Sequence, residues 1–368
     1  MILNAGPANL GEYNYNFHFF PTFTLLWALF FKIFGVANWV SRLFAVTFSL
    51  GAIVIFYKIT ARFFSPKTAV IACLFWLATP MFIYFGKMPV HEIPLMFFAL
   101  LAFWFYLNKK FWPMAIAVTA AELITWPGFF LVPAITLHAL WTKSFNRKYL
   151  ILWVVAPALF ALHLLHNRYV TGDFFGGGLR EIFFLRTSGV NLVWYVKTLA
   201  SWAWTYYFLL IPLAAAGLIL KRNRISILFL AYAVIYPIVF RDAASRHDYL
   251  LIYFWPFLAL TSALIVRHYL IAVSIVLLMV LLRWNFILAL EDSSLYRESV
   301  RIGEFASTNT VPGDKVQIVS FDPSVPFDGW FASYYSDRPV IYTTDVSMID
   351  PAYKTFFYFP GGKISNEK

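Results

Sequence analysis

The sequence predicts an all-α polytopic membrane protein, with about ten spans plus an outer re-entrant or interfacial helix and a small α/β domain at its C-terminal end. Three observations carry this. Of 368 residues, 61% are hydrophobic and only 13% charged, with a mean hydropathy of +0.70. Ordinary soluble domains are about 45–50% apolar and about 25% charged, and they need a polar shell that this chain lacks. Apolar runs near the bilayer-crossing length of about 20 residues follow one another along the chain. From Glu291 the pattern changes to a polar stretch with short strand-like runs. A soluble enzyme, a nucleic-acid module and a disordered chain are excluded. The lone cysteine, Cys73, excludes a disulfide framework.

The elements follow in order. Residues 1–21 are polar and aromatic, and 22–35 form an apolar segment too short to cross fully, hence a re-entrant or interfacial helix. The chain is expected to begin at an internal methionine and to lack a first transmembrane helix. Spans are expected at 39–61, 69–86, 92–108, 149–166, 198–220, 225–240, 249–266 and 269–290. The stretch 112–142, interrupted at Trp126-Pro127-Gly128, supplies two more as a hairpin. The tail should hold an amphipathic helix over 291–309 and strands at Lys315–Phe321 and Val340–Thr344, separated by turn signals. Three regions result: an outer loop and interfacial helix (1–38), a transmembrane domain (39–290) and an extracytoplasmic α/β domain (291–368).

Loop charge sets the orientation. Alternate loops carry Arg62 and Lys67; Lys109 and Lys110; Lys143, Arg147 and Lys148; Lys221, Arg222 and Arg224; and Arg267, with no carboxylate among them. These are assigned to the cytoplasm, and they account for much of the net charge of +11. The intervening loops carry mixed charge and face outward or into the lumen. The basic balance is therefore a topology signal, and no nucleic-acid partner is expected.

Four outer segments concentrate polar chemistry, which at membrane depth points to function by default. The first holds Glu12, His18 and, on the next span, Arg42. An arginine there binds a lipid phosphate bidentately or simply snorkels to the headgroups. The second is Lys87-Met88-Pro89-Val90-His91-Glu92, an acid/base and phosphate-contact cluster in which Glu92 is alternatively a helix cap. The third places Glu122 beside Thr125-Trp126-Pro127-Gly128, where Trp126 offers a stacking face to a sugar and the Pro-Gly pair breaks the helix. The fourth, Arg241 to Tyr249, is either a self-satisfied ionic loop or a phosphate-binding loop through Arg246, His247 and Tyr249, the latter preferred. Gly176-Gly177-Gly178 lacks the context of a nucleotide loop. His163 and His166 lack a third metal ligand and read as interfacial.

Across roughly 12–290 the chain resembles the GT-C membrane glycosyltransferases, in particular the protein O-mannosyltransferases and their relatives that move aminoarabinose onto lipid A (glycosyltransferase family 39-like). The resemblance rests on the order of His18-Phe-Phe-Pro21, Phe31-Lys-Ile-Phe-Gly35 with Trp39 and Arg42, Glu92 after Lys87, Thr125-Trp-Pro-Gly128, and Arg246-His247-Asp248-Tyr249 before Pro256. Tyr334 to Arg338 also resembles the outer domain of prokaryotic members. It implies transfer of mannose or another hexose or pentose from a polyprenyl-phosphate (dolichyl- or undecaprenyl-phosphate) donor to a protein, lipid or glycan hydroxyl, with inversion, at the extracytoplasmic face of a prokaryotic plasma membrane. A carboxylate, Glu92 or Glu12, would be the base, and His18, Arg42, Lys87, His91, Arg246, His247 and Tyr249 would hold the lipid phosphate. No metal or other cofactor is implied. The family's catalytic Asp stands in the first outer loop, upstream of the point where this chain starts. A secondary transporter, which usually shows paired broken helices, and an inactive fragment or scaffold of the same family are the competing readings.

Overall fold

The computed structural model describes residues 20–175, 179–180, 183, 189–266, 268–291, 294–311, 313–322, 332, 336, 338–360 and 362–366. The chain divides into two compact units that part between Ile287 and Leu288.

The first unit is helical. Helix α1 (Thr22–Phe34) ends on Gly35, whose φ of 83° suits a residue without a Cβ. Phe23 and Phe30 of α1 pack on Phe44 of α2 (Asn38–Phe63), at ring separations of 5.5 and 5.2 Å. There follow α3 (Pro66–Leu77), α4 (Pro80–Phe85), α5 (Glu92–Leu107) and α6 (Phe111–Glu122). A 3-10 turn at Trp126–Phe130 leads into α7 (Leu131–Trp141), and α8 spans Leu150–Thr171. After them come α9 (Leu192–Tyr207), α10 (Leu210–Leu220), α11 (Arg224–Val239) and the short α12 (Arg241–Arg246). A 3-10 stretch at Asp248–Phe254 precedes α13 (Trp255–Ala263), α14 (Tyr269–Leu282) and α15 (Trp284–Glu291).

Among the described residues, two helical stretches, Asn38–Phe63 and Arg147–Tyr169, are long and apolar enough to cross a bilayer, and counting each of two bent pairs as one span brings the number to four. The sequence alone led to about ten. Part of the difference is length, since α5 and α11 have 16 residues each, and part lies in where prolines fall, because a proline ring collides with the carbonyl four residues back. Pro80 splits the expected 69–86 span, and Thr79 caps the new helix by accepting from the Phe82 N–H. Pro212 sits four residues after Phe208, where the expected 198–220 span turns by 98° between α9 and α10. Pro256 likewise leaves the start of the expected 249–266 span as a 3-10 stretch. The expected 269–290 span bends by 57° at Arg283.

The two bends meet. Arg283 lies 4.6 Å from the Phe208 ring and donates to the Trp204 carbonyl at the end of α9 (3.2 Å), where a cation complements the helix dipole. The hairpin tip is closed by a near-contact: a Cβ on Gly128 would lie 2.3 Å from the Ala121 carbonyl oxygen. Only glycine lets the tip approach α6 so closely.

The second unit is a four-stranded sheet in the order β2-β1-β3-β4, built from Val316–Ser320 (β1), Val340–Thr343 (β2), Lys354–Tyr358 (β3) and Ile364–Ser365 (β4). β1 is parallel to both neighbours, and β3 pairs antiparallel with β4. All five residues of β1 are buried, as a central strand covered on both faces requires. Helix α16 (Ser294–Asn309) places Ile302 and Ala306 in a core with Val316, Ile318, Val340 and Phe356. The expected helix and two strands are present. β3 was not anticipated, because Lys354-Thr-Phe-Phe-Tyr358 lacks clean alternation.

Candidate active site

Helix α5 opens on Glu92, which is buried at 7% exposure. His91 precedes it as N-cap and makes no capping bond with its side chain. Its ring stacks instead on Phe23, 3.9 Å away. Tyr232 of α11 and Tyr253 of the 3-10 stretch lie within electrostatic reach of the Glu92 carboxylate. Their rings are 5.7 Å apart. Both hydroxyls are buried and unbonded among the described residues, so two donors lie in the field of one carboxylate.

Two further segments close on this point. Phe85, two residues before Lys87, lies 6.1 Å from Tyr249 and 6.4 Å from Tyr206, joining the Lys87–Glu92 loop to the segment after Arg246. The Tyr206 hydroxyl donates a short hydrogen bond to Asp248. The hairpin tip arrives from the other side, with Phe130 5.9 Å from Tyr236 of α11. Phe20 bridges to it, 6.4 Å from Phe129 and 4.6 Å from His163.

The predicted residues fare differently. Lys87, His91 and Glu92 share one loop and helix start, and Phe85 sets that loop against Tyr249. Arg42 is exposed and makes no ion pair or hydrogen bond among the described residues. Arg246 binds Asp242 through Nε (2.8 Å), and that hydrogen-bonded carboxylate raises the arginine's already high pKa. The self-satisfied ionic loop is thus partly realised, although the Arg246 side chain stays 63% exposed. His247 packs beside Tyr249 at 5.1 Å. Trp126 is wedged between Phe129, Phe160 and His163, at 5.9, 5.6 and 5.7 Å. Glu122 is 1% exposed, and neither carboxylate oxygen has a partner among the described residues. Glu12 and His18 lie outside the described residues. The tyrosines were missed, yet Tyr232 and Tyr236 stand four apart, the spacing that puts two side chains on one face of an α-helix.

Residues 20–166 match the family model described as dolichyl-phosphate-mannose-protein mannosyltransferase. No curated protein sequence matches the chain. The crystal structure of ArnT from Cupriavidus metallidurans bound to undecaprenyl phosphate superposes with a TM-score of 0.63 at 15% identity, covering 90% of this chain and 76% of that one. The apo form of the same protein gives 0.60 at 14% identity, with the same coverage. The chain has the fold of the GT-C glycosyltransferases. Within that GT-C fold, the matched residues 20–166 include Arg42, Lys87, His91, Glu92 and Trp126, whereas the tyrosines of α11 and of the 3-10 stretch lie beyond them.

Proposed function

We propose that the protein is a membrane glycosyltransferase that moves a sugar from a polyprenyl-phosphate donor to a hydroxyl acceptor, with Glu92 as general base. The observation that carries the reading is the buried Glu92 carboxylate within electrostatic reach of the Tyr232 and Tyr253 hydroxyls, with Lys87 and His91 in the preceding loop. A carboxylate so placed accepts the acceptor's proton as its oxygen attacks the anomeric carbon. The bond to the phosphate breaks, and cationic side chains stabilise the departing phosphate. Lys87, Arg246 and His247 supply that charge, and Arg42 remains exposed for the same use. Glu12 and His18 belong to the same proposed set, as does Trp126 as a partial stacking face for sugar or acceptor. The family description, a dolichyl-phosphate-mannose enzyme, and the undecaprenyl phosphate in the ArnT structure support this donor class. Mannose is the first sugar to test, the acid-free basic loops are taken as cytoplasmic, and no cofactor is assigned.

The second reading, a transporter, gains one observation: two bent helix pairs that meet at Arg283. The test is incubation of the membrane-embedded protein with radiolabelled dolichyl- and undecaprenyl-phosphate sugars. Transfer to an acceptor that Glu92→Gln abolishes supports the enzyme. Label accumulating inside vesicles without transfer overturns it.

A further inference from the structure

At the other end of α5 and α11 the chain forms a cavity of about 740 Å³. Its lining draws on four of the five acid-free basic loops, and Lys109, Lys110, Lys143 and Arg224 contribute to it without a single carboxylate. All four cations are exposed, and none forms an ion pair among the described residues. A basic-loop topology signal requires charge on one side of a membrane. It requires neither a concavity nor convergence of loops upon it.

The backbone adds an independent feature. Helices α5 and α7 both end in a double turn in which the residue after the cap is left-handed: Lys109 at φ 57° and Lys143 at φ 55°. At α5 the Lys109 and Lys110 N–H groups bond the Tyr106 and Phe105 carbonyls, and at α7 those of Lys143 and Ser144 bond Leu140 and Ala139. Glycine is the usual residue at such a position. These two are the only non-glycine residues with positive φ among those described, and both are lysines on the lip of one cavity. Between them lies a fixed polar surface. The Arg224 carbonyl can only accept, so His138 Nε2 donates to it (3.1 Å), and Nδ1 accepts from the Tyr106 hydroxyl (2.7 Å).

We propose that this cavity is a binding site for a phosphate-bearing anion, separate from the sugar-transfer centre. The chemistry is shared by two sources, an anionic lipid headgroup and a soluble phosphate compound. Purified full-length protein in neutral detergent is titrated with dioctanoyl phosphatidate and, separately, with inorganic pyrophosphate, by thermophoresis. Saturable binding of at least one probe is expected, weakened at least tenfold by Lys109→Gly with Lys143→Gly. Glycine accepts the left-handed backbone, so this double variant removes charge without straining the fold, and a thermal melt no lower than wild type confirms that. Lys87→Gln should leave the affinity unchanged. Phosphatidate binding alone assigns a lipid headgroup, whereas pyrophosphate binding, or competition between the two, assigns a soluble phosphate. Absence of saturable binding, an unchanged affinity in the double glycine variant, or a loss confined to Lys87→Gln overturns the proposal.

Discussion

The two ends of the helical unit are made of opposite materials. α5 and α11 have 16 residues each, so at about 1.5 Å per residue the two ends lie about 24 Å apart. At one end the buried Glu92 carboxylate lies within electrostatic reach of Tyr232 and Tyr253, and Arg246 is tied to Asp242. At the other, four exposed cations share a cavity without an acid. Low exposure at the first end gives reactive groups defined surroundings, which general acid–base chemistry needs. Exposure and excess charge at the second suit a ligand held by field and contact alone.

Substitutions at each end should therefore act on different observables. The largest effect is expected for Glu92→Gln, which should lower sugar transfer by about 100- to 10,000-fold in the radiolabel assay. Lys109→Gly should leave that rate within about twofold of wild type. A comparable loss from both would erase the distinction between the ends. Next is Gly128→Ala, whose Cβ would collide with the α6 carboxy-terminal backbone. A cost of about 1–3 kcal/mol, read from denaturant unfolding in detergent, is expected, along with reduced transfer. Tyr253→Phe separates stability from activity. Its hydroxyl has no partner among the described residues, and an unsatisfied buried polar group costs about 1–3 kcal/mol, so the variant should be as stable as wild type or more so. Transfer should nevertheless fall, and unchanged turnover would remove Tyr253 from the site. The smallest effect belongs to the basic end: Lys143→Gly should raise stability by about 1 kcal/mol, because the left-handed backbone no longer carries a Cβ.

Much of this contrast was legible in the residues. The acid-free loops could be sorted by charge alone, and their gathering around one cavity follows from helices that begin and end there. Lys87, His91 and Glu92 fall within six residues, so their proximity needed no tertiary information. The tyrosine wall was not visible, because Tyr232 and Tyr253 are brought together by the fold across 20 intervening residues, and an aromatic in an apolar run gives no hint of which way it faces. The breaks at Pro80, Pro212 and Pro256 were hidden for a related reason. Hydropathy averages over a window, while a proline acts on one carbonyl. Trp126 shows the converse: its position at the hairpin break was clear, but not that its neighbours would occupy much of its surface.

One feature of the packing bears on fidelity. Phe48 of α2 lies 5.6 Å from Phe97, five residues after Glu92 at the start of α5, so the start of α5 is level with about residue 43 of α2. Helix α2 extends beyond that level to Asn38, about 7.5 Å further at about 1.5 Å per residue. Glu92 is thus recessed below the rim of its own scaffold. On the proposed sugar-transfer reading the competing acceptor is water, present in bulk on the order of 55 M and scarcer around a recessed group. Depth would then act as a kinetic filter, favouring a bound hydroxyl over a water molecule at the anomeric carbon, so that the activated donor would be spent on transfer rather than hydrolysis.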